Sequence, residues 1–242
     1  MEIIRKINVI IPMAGRGKRF EDEGFSVPKP LISVNGKRII ERVVENLNLS
    51  ANYIFVVQES HRKIYDLDKV LKDIAPDCKI ISTDEVTEGT ACSVLLAKNL
   101  INNDNPLLIC NSDQVLEWDA KHFVSSVMKE GIDGGIVTFK SSGNQWSFAQ
   151  VLNGVVTRVA EKNPISDNAT AGVYWWDRGS DFVILAEQMI RLNDRTNGEF
   201  YVCPVYNYAI NDGLKIVNYE IEKFWNLGTP KDLEVYLLNH NV

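Results

Sequence analysis

Histidine is scarce in this chain, with three in 242 residues. His61, His122 and His240 fall in expected helices or close to the end of the chain. They show no triad or zinc-ligand spacing, so we assign them no chemistry. Cysteine is hardly richer. Cys78, Cys92, Cys110 and Cys203 contain no CxxC spacing, which argues against zinc and dithiol motifs and predicts buried, reduced thiols. Long apolar runs are missing too: none approaches the ~20 residues that span a bilayer, so membrane insertion is not expected. The opening "MEIIRKINVIIPM" turns polar too soon for a signal peptide, which predicts a cytoplasmic location. The triplets Asn48-Leu-Ser and Asn168-Ala-Thr then carry no glycosylation meaning. A basic surplus is also absent. With 26 Lys+Arg against 32 Asp+Glu the formal charge is −6, and the cations are dispersed except in one loop. Nucleic acid is therefore not expected as a partner, whereas a small anionic ligand is compatible. No Pro/Ser-rich linker and no internal repeat interrupt the chain, and 45% hydrophobic content suffices for one core. A single domain over 1–242 is expected.

What is present alternates in type. "INVIIPM" reads as a buried strand and "RIIERVVENL" as a helix, with Ile39, Ile40, Val43, Val44 and Leu47 at helical spacing. "YIFVV", "KIIST" and "PLLIC" read as further strands. "YDLDKVLKDIA" and "TACSVLLAKNLI" read as the helices between them. This βαβαβαβ order predicts an α/β fold with a parallel sheet and helices on both faces. After Gly131 the pattern changes. "GGIVTFK", "SFAQVL", "VVTRVAEK" and "TAGVYWW" are short β-rich runs that suggest hairpins or an antiparallel extension. "SDFVILAEQMIRL" is an expected helix, followed by "LKIVNYEI". The helix "PKDLEVYLLNH" closes the chain, with Thr229 as N-cap and Pro230 in its first turn.

The exceptional cluster of cations lies in "IPMAGRGKRFEDEGFSVPKPLI", residues 11–32. A strand, a glycine loop and a helix in succession is a general phosphate-holding device, because glycines let backbone N–H groups approach an anion. The pattern Gly15-x-Gly17-x-Arg19 lacks the third glycine of the dinucleotide fingerprint and the Gly-Lys-Ser/Thr of a P-loop. A bare GxG would equally be an ordinary turn. This one carries Arg16, Lys18 and Arg19, and Pro28 and Pro30 stiffen the segment around Lys29. That combination suits a polyphosphate.

The stretch resembles the signature loop of the sugar-1-phosphate nucleotidylyltransferases, the enzymes that make nucleotide-sugars. The resemblance implies a Rossmann-like (GT-A-like) sheet with an antiparallel acceptor-binding extension. Residues of about 1–130 would form the nucleotide-binding half and about 131–242 the acceptor-binding half. It implies that Met13, Ala14, Gly15, Arg16 and Gly17 wrap an NTP, that Arg19 and Lys29 act on its phosphates, and that Ser112 lies close by. "TEGTACSVLLA" is similar to the second nucleotide loop of that family, which would set Glu88, Gly89 and Thr90 against the base. The bland alternative there is a capped helix start.

"LLICNSDQVL" ends a buried strand in Asn-Ser-Asp. Ligands of open α/β sheets bind at such carboxyl ends, and a carboxylate there is placed to hold Mg²⁺ against phosphate oxygens. By resemblance Asp113 is the metal aspartate. "FWNLGTPKDL" resembles the closing W-x-(D/N)-x-G-T motif and offers Asn226 where an aspartate is more usual, so one negative charge is lost while a hard oxygen donor is kept. "RVAEKNPISDNATAGVYWWD" and "NGEFYVCPVYN" are similar to the acceptor-side motifs. They imply that Glu161, Lys162, Gly172, Glu199 and Tyr201 meet the acceptor. A surface Glu-Lys pair is the plain alternative for 161–162. Trp175 and Trp176 are expected in the core rather than as a stacking platform.

The reaction so implied is transfer of a nucleotidyl group from an NTP to a sugar phosphate or other small phosphomonoester, with Mg²⁺ as cofactor. It would serve nucleotide-sugar supply, for instance for capsule or surface polysaccharide. Two alternatives stay open, a nucleotide-sugar-dependent glycosyltransferase of GT-A type and a non-catalytic nucleotide-binding subunit. The base, the acceptor and a homo-oligomeric state are open as well.

Overall fold

The strands of this protein, in chain order, are β1 (Asn8–Pro12), β2 (Ser33–Val34), β3 (Lys37–Arg38), β4 (Asn52–Gln58), β5 (Lys79–Thr83), β6 (Leu107–Cys110), β7 (Gln114–Glu117), β8 (Gly134–Lys140), β9 (Ser147–Leu152), β10 (Val155–Glu161), β11 (Asn168–Trp176), β12 (Ile216–Glu220) and β13 (Lys223–Asn226). The structure, a computed structural model, describes residues 5–240. The first four residues of the segment weighed above as a leader lie outside the described residues. Nine strands form one sheet in the order β5-β4-β1-β6-β11-β8-β12-β10-β9.

β5, β4, β1 and β6 are parallel, as the alternating pattern predicts. Within β1, Val9 and Ile11 join the apolar cluster on one face and Ile10 the cluster on the other. A strand buried on both faces reads as a continuous apolar run for this reason. From β1 the chain moves outward to β4 and β5, then returns to place β6 on the opposite side of β1. The carboxyl ends of β1 and β6 thus flank a topological switch point.

One expectation changes in detail. The segment "TACSVLLAKNLI" is two short helices, Thr90–Leu95 and Lys98–Ile101. The chain tightens between them through three-residue hydrogen bonds, Ala97 N–H to the Val94 carbonyl at 3.1 Å and Leu100 N–H to the Ala97 carbonyl at 2.8 Å. In the second half the four short runs after Gly131 pair antiparallel, as expected, β11 with β8 and β9 with both β10 and β11. β11 is antiparallel to β6 as well, and the later strand β12 runs parallel to β8. The chain descends β11, climbs the helix Gly179–Arg191 and returns down the helix Val205–Asn211 before β12 starts. This double crossing carries the 192–204 loop to the carboxyl end of the parallel strands.

Trp175 and Trp176 are fully buried in β11. The four cysteines are unpaired, with Cys78, Cys110 and Cys203 buried and Cys92 half-buried. Among the described residues no helix is long and apolar enough to cross a membrane.

Candidate active site at the switch point

The loop leaving β1 is anchored at its start and open at its tip. Met13 donates its N–H to the Val56 carbonyl at 2.8 Å, and the Gln58 amide holds the Ala14 carbonyl at 2.9 Å. Beyond that point the backbone N–H groups of Gly15, Arg16 and Gly17 donate no hydrogen bond among the described residues. Gly17 has φ +65°, a left-handed conformation that favours glycine. Gly15 differs: its φ is ordinary, and a Cβ added there would meet nothing within 4 Å. The fold does not require glycine at 15, and the space beside it belongs to a cavity. Gly15→Ala should therefore leave the melting temperature unchanged, and a melting temperature lowered by several degrees would contradict this open setting.

Lys29 does not lie in an extended segment. Pro28 is extended, but Lys29 opens a 3-10 turn, Lys29–Leu31, closed by Leu31 N–H on the Pro28 carbonyl at 2.8 Å. Pro30 fits the turn because its fixed φ suits it and it has no N–H to satisfy. The turn aims Lys29 across the switch point, where its Nζ meets Asp113 Oδ2 at 2.6 Å. Both side chains are about one-fifth exposed, at 23% and 21%.

Asp113 sits between β6 and β7, and β7 pairs with β13 in a separate two-stranded ribbon. The register sets Asn226 opposite Gln114, and Leu227 N–H binds the Asp113 carbonyl at 2.8 Å. Asn46, on the helix Ile39–Leu47, brackets Leu116 through both amide atoms and ties the ribbon to the body of the protein. Gly228 follows in the chain. A Cβ there would lie 2.8 Å from Asp113 Oδ2 and 2.9 Å from Asn226 Oδ1. Two hard oxygens therefore converge on one small space that a side chain at 228 would fill. Among the described residues no group of three His, Cys, Asp or Glu forms a metal cage. One carboxylate plus one carbonyl oxygen fits Mg²⁺, which keeps most of its coordination for waters and substrate phosphates.

Two cavities open on either side of this point. The larger, about 640 Å³, is lined by the 12–17 loop, Lys29, Ser112, Asp113 and the 86–90 segment. Met13, Ala14, Gly15, Arg16, Gly17, Gly89 and Thr90 are all on its wall. The second, about 480 Å³, holds Glu161, Lys162, Gly172, Tyr201 and Asn226. Thr90, Asn111 and Asp113 line both. Three residues of the sequence pattern take other places. Arg19 is exposed and lines the second cavity, Glu199 lines the first, and Glu88 points away to an ion pair with Arg195.

On the second cavity, Lys162 donates to the Tyr201 hydroxyl at 2.6 Å with its ammonium 4.6 Å from that ring's centroid. Its backbone is left-handed, φ +52°, an uncommon state for lysine that is worth about 1–3 kcal/mol of strain. Glu161 accepts the Ser147 hydroxyl. Burial pushes the Glu161 carboxyl above the ordinary carboxylate range; Ser147 and Lys162 pull it back in part, and Glu199 adds to the rise. The folded protein thus holds this proton to higher pH than the unfolded chain. The stability of the native state falls as pH climbs from the unfolded value through the raised one. Glu161→Gln should accordingly be more stable than wild type at neutral pH, with the difference vanishing near pH 4 in thermal melts. A constant difference across that range would contradict the assignment. Gly172, at φ +65°, is dictated by its neighbours, since a Cβ would strike the Asn111 amide at 2.3 Å and the Gln114 carbonyl oxygen at 2.4 Å.

The 86–90 segment is strapped to the 192–204 loop by backbone bonds. Phe200 N–H binds the Glu88 carbonyl at 2.8 Å, and Ala91 N–H binds the Phe200 carbonyl at 3.0 Å. Gly89 makes the strap possible: it has φ +138°, and a Cβ would fall 2.3 Å from the Phe200 carbonyl oxygen. Gly89→Ala must push the two loops apart. It should lower the melting temperature by several degrees, at about 2–4 °C per kcal/mol for a chain of this size. A wild-type melting curve would contradict this packing.

Sequence reasoning passed over Asn111, which lines both cavities, and Asp232, which accepts hydrogen bonds from Asn226 and Thr229. Asn111 stands two residues before Asp113 on the same strand end. Asp232 follows the N-cap Thr229 by three residues, a spacing that marks a capping interaction.

The family model described as nucleotidyl transferase matches residues 8–237. Among curated proteins, the bifunctional protein GlmU of Methanococcus aeolicus is 25% identical over 234 residues, covering 94% of this chain and 53% of its own. The protein of the same name from Methanococcus maripaludis strain C5 is 31% identical over 236 residues, with 94% and 53% covered. The chain thus spans about half the length of these relatives. Among solved structures, the nucleoside-diphosphate-sugar pyrophosphorylase of Vibrio cholerae RC9 superposes with a TM-score of 0.83 at 24% identity, covering 95% of this chain and 99% of that one. The inositol-1-phosphate CTP transferase of T. maritima gives 0.77 at 16% identity, with 97% and 95% covered. These likenesses carry the fold, a mixed α/β sheet with flanking helices. The family match, which runs through every strand of that sheet, carries the membership: the chain belongs to the nucleotidyl transferase family.

Proposed function

We propose that this protein joins an NTP to a sugar phosphate or another small phosphomonoester, releasing pyrophosphate, with Mg²⁺ as cofactor. The observation that carries the reading is the meeting of two polar cavities at Asp113, with Lys29 projecting to the same point. The first cavity takes the NTP. Its free backbone N–H groups at Gly15, Arg16 and Gly17 face the triphosphate, and Lys29 faces the reacting phosphate. The second takes the acceptor, with Lys162 toward its phosphate and Glu161 accepting from its hydroxyls. Arg19 approaches from the acceptor side and adds its charge where the phosphates meet.

An oxygen of the acceptor phosphate attacks the α-phosphorus. One P–O bond forms, the bond to the β-phosphate bridge breaks, and the electron pair leaves with pyrophosphate. The nucleophile is a phosphate that is already ionised at neutral pH, so no general base is required, in keeping with a site without histidine. The obstacle is repulsion between two polyanions, and this chain answers it with positioned charge. Asp113 and Asn226 would hold Mg²⁺, which when bound supplies positive charge at oxygens that gain negative charge during the reaction. By family resemblance we place the product among cytoplasmic nucleotide-sugars for capsule or surface-glycan synthesis.

The experiment is an array of CTP, UTP, dTTP and GTP against sugar-1-phosphates, phosphocholine and inositol phosphate, read by pyrophosphate release. Release from one NTP–acceptor pair that depends on both partners is the expected outcome. Turnover of a finished nucleotide-sugar without pyrophosphate would instead support a glycosyltransferase. NTP binding in calorimetry with no turnover against any acceptor would support a non-catalytic subunit.

A further inference from the structure

We infer that Asp232 is a positioning residue that locks the side-chain amide of Asn226 with its oxygen facing Asp113, and so completes the cation site. The inference rests on the proposed metal role of Asp113 and Asn226. An asparagine is an ambiguous ligand, because its amide presents either an acceptor or a donor to a given point. Turned the wrong way, residue 226 would offer an NH₂ group to a cation and repel it.

Two hydrogen bonds remove the ambiguity. Asn226 Nδ2 donates to Asp232 Oδ2 at 2.5 Å. Asn226 Oδ1 accepts the Gly228 N–H at 3.1 Å. The same Oδ1 and Asp113 Oδ2 lie 2.9 and 2.8 Å from the point a Cβ on Gly228 would occupy. A flipped amide would set oxygen against the Asp232 carboxylate and NH₂ against the Gly228 N–H, so both hydrogen bonds would be replaced by repulsions. Asp232 is itself fixed. Its Oδ2 also accepts the Thr229 hydroxyl at 2.5 Å, and its N–H donates back to Thr229 Oγ1 at 3.1 Å. The N-terminal turn of the helix Pro230–Asn239 therefore serves two ends: it caps the helix and it sets the direction of an amide six residues earlier. Asp232 also supplies a negative charge next to the neutral ligand.

The test uses Mn²⁺ alone as probe, titrated onto the full chain and read by water-proton relaxation. Asp232→Ala should weaken Mn²⁺ binding about 10–100-fold, the range for residues that orient metal ligands. Asp232→Asn, whose amide oxygen still accepts from Asn226 Nδ2, should bind within a few-fold of wild type. The double variant Asn226→Asp/Asp232→Ala should recover binding to within a few-fold of wild type, because a carboxylate at 226 has two equivalent oxygens and needs no lock. Thermal melts of the Asp232→Ala single and double variants separate this from a capping effect, since loss of the cap would lower stability equally in the two while only one loses the ion. Wild-type Mn²⁺ affinity in Asp232→Ala overturns the inference and leaves the proposed function standing, as does a double variant as weak as the single one. A wild-type protein that binds no Mn²⁺ overturns the metal assignment and this inference with it.

Discussion

Lys29→Ala should lower kcat by about 10²–10³ while the protein keeps its fold. The magnitude is that of removing one preorganised charged or hydrogen-bonding group aimed at developing negative charge in a closed site. The fold should persist because Lys29 is held by backbone bonds of the 3-10 turn that alanine preserves, and because a partly exposed ion pair adds little stability. The same substitution has a second, opposite expected effect. The Lys29 ammonium sits on Asp113 Oδ2, the oxygen that converges with Asn226 Oδ1. Without nucleotide, this ammonium competes with a metal ion for Asp113. Lys29→Ala should therefore bind Mn²⁺ more tightly than wild type in the absence of NTP, and still turn over far more slowly in its presence. Near-normal turnover would remove Lys29 from the chemistry, and unchanged metal affinity would contradict the competition.

Asp113→Asn is expected to have the largest effect of any single substitution, a loss of at least about 10³ in kcat. The side chain keeps its size, so packing of the β7–β13 ribbon, which binds the Asp113 backbone carbonyl through Leu227, should survive. What disappears is a carboxylate that lines both cavities. The ion pair to Lys29 goes, and the proposed Mg²⁺ site is left with two neutral amides. Activity and its dependence on added Mg²⁺ should vanish together, while the melting temperature stays within a few degrees of wild type. Wild-type turnover in EDTA by the unmodified protein would remove the metal from the mechanism altogether.

The parts of this site that were legible in the sequence are those built locally. The β1 loop could be read because apolar run, glycines and cations follow one another within about twenty residues, and the structure lines a cavity with that loop. Asp113 could be read because a carboxylate at the end of a buried strand has few places to go. Pairings across long separations could not be read. Nothing in "QVLE" announces that it pairs with the distant "KFWN", yet that ribbon is what brings Asn226 to Asp113.

Side-chain direction was equally hidden. Arg19 and Arg16 are three residues apart in one loop, but a short helix, Lys18–Glu21, turns Arg19 toward the second cavity while Arg16 stays on the first. The places of Glu88 and Glu199 were hidden for a similar reason. The strap between their loops leaves Glu199 on the first cavity and Glu88 on neither, paired with Arg195. The short β runs after Gly131 could be read as antiparallel, and β8 to β11 pair that way. The direction of β12 was not legible, because it depends on the two helices between β11 and β12, which return the chain parallel to β8.

A crystal structure of the protein with NTP and Mg²⁺ would show whether the Gly15–Lys29 segment receives the triphosphate beside Asp113. Phosphate oxygens should lie on the backbone N–H groups of residues 15–17 and on Lys29, with the ion between Asp113 and Asn226. A nucleotide bound elsewhere, with that loop bare and Lys29 still paired to Asp113, would contradict this placement.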